Sequence, residues 1–173
     1  IYDVDKIIKK IRKISNFKII FRPHPANRDY FKKNYKNIYV NKIISKYSDD
    51  QNIFFDFSED YSKSYSETMF MITDLSATAF TYSFLTFNPV LFYSPKENLF
   101  KKNYKNLNHY KDRKKIGEVA NNIGSLDKSL KKIFKNHKKY YSSIKLVREK
   151  IDFIGKSKAK TIEYIDKILN EIN

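Results

Sequence analysis

Four short apolar runs constrain this chain most: Phe17–Phe21 (FKIIF), Ile53–Phe57 (IFFDF), Met69–Ile72 (MFMI) and Val90–Tyr93 (VLFY). Each is too brief for a stable helix. Each is rich in β-branched or aromatic residues and bounded by polar or proline-containing sequence, so each reads as a strand. Helical spacing fills the intervals. Val4, Ile7, Ile8, Ile11 and Ile14 predict an amphipathic helix over 3–15, with Asp3 or Asp5 placed to cap it. Residues 28–47 read as partly helical and 62–68 as a short helix. Residues 78–87, almost all apolar or small, read as a helix buried on most sides and stopped by Asn88-Pro89. The Lys-rich stretch 96–116 has no pattern that assigns it, and 118–120 suits one more short strand. Ser125 is placed to cap a helix carrying Leu126, Leu130, Ile133 and Phe134. Tyr140, Ile144, Val147, Ile151 and Ile154 space for another, Gly155 interrupts, and Ser157 opens a last helix with Ile162, Ile165, Leu169 and Ile172 on one face.

Alternating apolar strands and helices imply an α/β fold: a Rossmann-like parallel sheet with helices on both faces, followed by C-terminal helices. The 173 residues suit one domain, 1–173, with 138–173 as a helical extension. The sequence opens on Ile1, which leads us to expect a fragment of a longer protein. Composition removes several function classes. There is no cysteine, hence no disulfide framework, thiolate metal site or thiol nucleophile. His24, His109 and His137 lack zinc-ligand spacing. Asp3-Val4-Asp5 matches a metal-binding D-x-D but opens a helix instead of following a strand, and Ser76 lacks a G-x-S-x-G elbow. No Walker A or G-x-G-x-x-G is present, so neither metal nor cofactor is expected.

The net charge is +16, unevenly spread: +8 over residues 1–50, −4 over 51–100 and +12 over 101–173. Such a charge admits phosphorylated substrates, anionic lipid and nucleic acid as partners. Only Arg12, Arg22, Arg28, Arg113 and Arg148 are arginines, few for a reader of base edges. Two motifs at strand ends focus the choice. In Arg22-Pro23-His24-Pro25, both polar residues precede proline and are held extended, so a guanidinium and an imidazole project stiffly from a strand's carboxyl end. That pairing suits a phosphate clamp; a rigid surface turn is the plainer alternative. In Thr73-Asp74-Leu75-Ser76-Ala77-Thr78, a strand runs directly into a helix. Ser76 is placed to cap that helix, and the N–H groups of Ala77, Thr78 and Ala79 are placed to face an anion. Ser76 and Thr78 add hydroxyl donors, while acidic Asp74 suits orienting the turn. An ordinary helix cap is the plainer alternative here. In a single parallel sheet both motifs would lie along the same edge, where ligands bind.

FRPHP, followed some 50 residues later by ITDLSATAFTYSFLTFNPVLFYSP, resembles the C-terminal half of the CDP-glycerol glycerophosphotransferases, the teichoic-acid polymerase and primase group. The typical pattern there is R-x-H-P, then I-S-D-Y-S-S-x-x-F-D and, after about six residues, P-x-x-x-Y. IDFIGKSKAKTIEYI is similar to the family's closing helix, and the likeness runs from Phe17 to Ile168. It implies the C-terminal, donor-binding domain of a GT-B fold. Arg22 and His24 would contact the donor's phosphates, with His24 a candidate acid for the leaving group. Ser76, Ala77 and Thr78 would hold the diphosphate, and Asp74 would support their loop. Leu75, Ala77, Thr81 and Lys160 depart from the pattern, and the Gly-Pro run usual before residue 119 is missing.

The resemblance implies a transferase moving glycerol phosphate, or a related alditol phosphate or sugar, from a CDP-linked donor to a cell-surface polymer such as teichoic acid or capsule. The fragment would be inactive alone. Its partners would be a lipid-linked or polymer acceptor, an N-terminal GT-B domain supplying the catalytic base, and an anionic membrane at whose cytoplasmic face the enzyme would sit. A basic α/β module binding nucleic acid is the alternative from another class, and nucleic acid is the less expected partner.

Overall fold

The computed structural model describes residues 3–24, 38–151 and 155–172. Among these residues the predicted strands and helices form, with shifted boundaries; the expectations for Pro25, for 28–37 and for Ile154 lie outside the described residues. Helix α1 spans Val4–Ile14, strand β1 Ile19–Phe21, α2 Ile38–Tyr47, β2 Ile53–Phe55, α3 Ser62–Ser66, β3 Met71–Thr73 and α4 Thr78–Thr86. Strand β4 follows at Val90–Tyr93, then α5 at Glu97–Tyr104, α6 at Asn108–Asp112, β5 at Gly117–Ala120, α7 at Ile123–Lys135, α8 at His137–Arg148 and α9 at Ser157–Ile172. Every strand pairing among the described residues is parallel. The chain is therefore a Rossmann-like α/β protein. No helix of the described residues is long and apolar enough to cross a membrane.

Among the described residues the hydrogen-bonded ladders are two, not one. β1 pairs with β2, and β3, β4 and β5 form a second ladder with β4 at its centre. β4 is buried at all four positions, as a strand covered on both faces must be. Its side chains anchor the main core, with Leu126, Leu130 and Ile133 of α7 and Ile144 and Val147 of α8. A smaller core gathers Ile8, Ile43, Tyr47 and Ile53 over the β1–β2 ladder.

Side chains join what the backbone leaves unjoined. Helix α1 sends Ile7 and Ile11 into the main core and Ile8 into the smaller one. Phe17 stacks on Phe134 at 5.5 Å and meets Phe70 edge-on at 6.1 Å. Lys10 pairs with Asp127 of α7 (2.7 Å), and Arg12 with Asp50 before β2 (2.7 Å). Asp3 holds the N-cap position of α1, but its carboxylate caps nothing: it accepts from the Tyr93 hydroxyl (2.7 Å) and from Lys6 (2.8 Å). A buried phenol must find an acceptor, and that demand outcompetes the cap. Burial, with the Asp3 carboxylate alongside, pushes the Tyr93 hydroxyl up to about 12.

Three expectations change. The stretch 96–116 is structured as α5 and α6, pinned by a polar cluster that periodicity cannot reveal. Glu97 accepts from Arg113, Tyr110 (2.7 Å) and Ser94 (2.8 Å), and Arg113, only 1% exposed, lies over the Tyr110 ring at 4.0 Å. Helix α7 starts at Ile123 and is capped by Asn122, not Ser125. Ser125 is the reciprocal partner in a capping box, donating its N–H to Asn122 Oδ1 at 2.8 Å. Helix α4 stops at Phe87, which turns left-handed (φ 57°) before Asn88-Pro89 and packs against Tyr141 at 5.1 Å.

Gly117 sits opposite Val90 in the β4–β5 ladder, where a Cβ would overlap the Val90 carbonyl. Val90 is fully buried and cannot yield. We expect Gly117→Ala to destabilise the protein by about 2–3 kcal/mol, read as a lowered denaturant midpoint in equilibrium unfolding.

Candidate functional site

Both strand-end motifs lie at carboxyl ends, one per ladder. At β1, Pro23 is buried and His24 is exposed. Arg22 turns back into the protein, where both of its terminal nitrogens are engaged. Its Nη1 donates to the Asp56 carboxylate, to Ser58 Oγ (3.1 Å) and to the Asp60 carbonyl (3.5 Å). Its Nη2 donates to the carbonyls of Ser58 (2.7 Å) and Glu59 (3.3 Å). Arg22 therefore organises the loop after β2. In this arrangement its charge is balanced by Asp56, and its donors are turned to the chain.

That loop is built from a repeated device. Asp56 Oδ1 accepts from the N–H (2.8 Å) and Oγ (2.6 Å) of Ser58; Asp60 Oδ1 accepts from the N–H (2.8 Å) and Oγ (2.6 Å) of Ser62. Two Asp-x-Ser turns, four residues apart, fix its course. Ser64 also donates to Asp56. Burial opposes ionisation of Asp56, yet the hydrogen bonds from Ser58, Ser64 and Arg22 outweigh it and hold the carboxyl well below the usual range. Sequence reasoning missed this cluster, although the spacing Asp56–Ser58 and Asp60–Ser62 is visible in the chain.

At β3, the Ser76 N–H donates to the Asp74 carbonyl (2.9 Å), making a tight turn into α4. The Asp74 side chain is exposed. Ser76 does not cap α4 through its side chain: Ala77 is the N-cap, and Ser76 Oγ bonds instead to Thr78 Oγ at 2.6 Å. Ala79 was expected to offer a free N–H, but it donates to the Ser76 carbonyl (3.2 Å), because the first turn tightens to satisfy it. The N–H groups of Ala77 and Thr78 have no acceptor among the described residues. Two amides and two hydroxyls thus gather at the start of α4, at the carboxyl end of β3.

Tyr65 connects the two ends. Its ring is buried and packs edge-on against Tyr82 of α4 at 5.2 Å. Burial chiefly raises its hydroxyl pKa, while the Arg22 charge and the Thr78 side chain both act to lower it. The Tyr65 hydroxyl therefore lies within electrostatic reach of both motifs. Sequence patterning assigned Tyr65 no role.

The depressed Asp56 pKa sets the sign of an acid dependence. The stabilisation is complete above the ordinary carboxylate pKa, near 4, and is lost as pH falls below it. We expect the 56–64 loop to lose hydrogen-exchange protection below about pH 4; Asp56→Asn should be less protected at neutral pH and lack that acid step.

A sequence model of the CDP-glycerol:poly(glycerophosphate) glycerophosphotransferase family matches residues 1–164. No curated protein and no solved structure gives a significant match. The match spans both strand-end motifs, the Arg22-organised loop, α4 and the first half of α9. The chain belongs to the CDP-glycerol:poly(glycerophosphate) glycerophosphotransferase family, a family of transferases.

Proposed function

We propose that this chain is the donor-binding part of a transferase that moves glycerol phosphate from CDP-glycerol to a growing cell-surface polymer. The observation that carries the reading is the start of α4, where the Ala77 and Thr78 N–H groups, without an acceptor among the described residues, adjoin the Ser76 and Thr78 hydroxyls. Backbone donors at a helix N-terminus, with hydroxyls added and no bulky side chain at Ala77, suit a diphosphate. Arg22 enters as the residue that fixes the neighbouring loop, and Asp74 as the residue whose carbonyl makes the turn.

The chemistry is displacement at phosphorus. An acceptor hydroxyl attacks the glycerol-bearing β-phosphorus, the bond from that phosphorus to the bridging oxygen breaks, and CMP leaves. The hydroxyl proton passes to a base, which we assign to a GT-B domain outside this chain. Positioning and stabilisation of the departing charge supply the acceleration. The amides at 77 and 78 would hold the diphosphate oxygens, and His24, exposed beyond β1, is the candidate acid for the leaving phosphate. The +16 charge, with Lys128, Lys131, Lys132 and Lys135 exposed along α7, favours work against an anionic membrane that carries a lipid-linked acceptor.

Calorimetric titration of the full chain with CDP tests the reading. Wild type should bind, and the double variant Ser76→Ala/Thr78→Val should bind roughly tenfold or more weakly through loss of two hydroxyl donors to a charged ligand. Undiminished binding by the double variant, or no binding by wild type, would contradict it.

A further inference from the structure

Helix α7 carries a row of lysines that the molecule leaves largely unanswered. Its buried side is formed by Leu126, Leu130 and Ile133. At about 100° per residue, Lys128, Lys131, Lys132 and Lys135 fall on the opposite side within roughly a third of the circumference, and all four are exposed. On α1 and α9 the chain sets carboxylates one turn from exposed lysines: Asp3 against Lys6, Asp5 against Lys9, Glu163 against Lys160 and Glu171 against Lys167. On α7, Lys132 has Glu118 at 3.3 Å, and the one flanking carboxylate, Asp127, is taken by Lys10 at 2.7 Å. Lys128, Lys131 and Lys135 have no carboxylate partner among the described residues. Like charges one turn apart repel, so the row destabilises its own helix unless an anion lies along it.

The row also has a direction. β5 ends at Ala120, α7 begins at Ile123, and α7 packs back on β5 and β4. It therefore starts near the carboxyl edge that β5 shares with β3, where the Ala77 and Thr78 amides lie, and runs away from that edge. An axial rise of about 1.5 Å per residue puts Lys131 about 4.5 Å beyond Lys128, and Lys135 about 6 Å beyond Lys131.

We propose that Lys128, Lys131 and Lys135 form a track for a polymer of glycerol phosphate, each ammonium meeting one phosphodiester as the chain leads away from the donor edge. The inference rests on the transferase reading above and adds where the acceptor's trailing chain lies. Successive phosphorus atoms of such a polymer are six single bonds apart, roughly 5–7 Å, with one negative charge per repeat. Charge and spacing thus match the row one to one, and the flexible lysine stems take up the difference. A row one side chain wide suits a single polyanionic chain better than a bilayer plane, so the anion it meets is the polymer that the membrane carries. Single-stranded nucleic acid has a similar phosphate spacing, but its binding surfaces supply aromatic rings for the bases. The exposed positions of α7 are Gly124 and the four lysines, none of them aromatic.

Titration of the full chain with synthetic poly(glycerol phosphate) of about ten units, over a range of salt, tests the track. Wild type should bind, more weakly as salt rises. Lys128→Gln/Lys131→Gln/Lys135→Gln should bind roughly tenfold or more weakly, with a log–log salt slope smaller by about two. Lys111→Gln/Lys114→Gln/Lys115→Gln, which removes the same charge ahead of β5, should stay within about threefold of wild type. Both variants should bind CDP as wild type does. Unchanged polymer binding by the α7 variant would overturn the inference, and so would an equal loss in the control variant, which would mark the attraction as diffuse charge. Phosphatidylglycerol vesicles or single-stranded DNA bound as tightly as the polymer, and as sensitive to the α7 variant, would overturn it in favour of lipid or nucleic acid. Wild type that binds polymer through α7 but does not bind CDP would keep the track and contradict the donor reading instead.

Discussion

Two ladders of three-residue and four-residue strands cannot bury enough surface separately, and helix α1 is what makes them one protein. Ile7 and Ile11 complete the core over β3–β4–β5, and Ile8, one residue on, completes the core over β1–β2. A helix with two buried faces fixes the ladders' relative placement as hydrogen bonds between β1 and β3 would otherwise do. Its polar positions reinforce this: Asp3 reaches Tyr93, Asp5 accepts from Tyr47 (2.7 Å), Lys10 pairs with Asp127 and Arg12 with Asp50. Exposed pairs of this kind contribute little individually, so the apolar contacts carry most of the energy and the ion pairs fix the register.

The candidate site inherits its geometry from that arrangement. β1 delivers Arg22 to the loop after β2, and β3 delivers the Ser76–Thr78 turn to α4. Tyr65, on a short helix between them, is influenced by both. A division of labour follows. The arginine singled out as a phosphate ligand spends its donors on three carbonyls, a hydroxyl and a carboxylate, and in the proposed reading the uncharged amides and hydroxyls at the start of α4 meet the ligand instead. Preorganisation of this kind suits phosphoryl transfer, where the protein positions and neutralises more than it reacts.

Much of the fold was legible because its signals are local. The four apolar runs gave strands within two residues, and Ile7, Ile8 and Ile11 gave α1, since short continuous apolar runs and burial on period 3.6 are written directly into the chain. The split of the sheet was not legible, because which strands pair depends on contacts such as Phe17 with Phe70 and Phe134 that no local pattern encodes. α5 and α6 were missed because they are held by Arg113 and Glu97, a polar cluster without periodicity. At the site, the turn at 74–78 was legible from its small hydroxyl residues beside an apolar strand. The partner of Arg22 was not, since Asp56 lies 34 residues away and its role appears only on folding.

A crystal structure of the full chain with CDP tests the central claim most directly. Density should place the diphosphate on the Ala77 and Thr78 amides, with Arg22 still bound to the 58–60 carbonyls. CDP elsewhere on the molecule, or a diphosphate clasped by an Arg22 released from that loop, would contradict it.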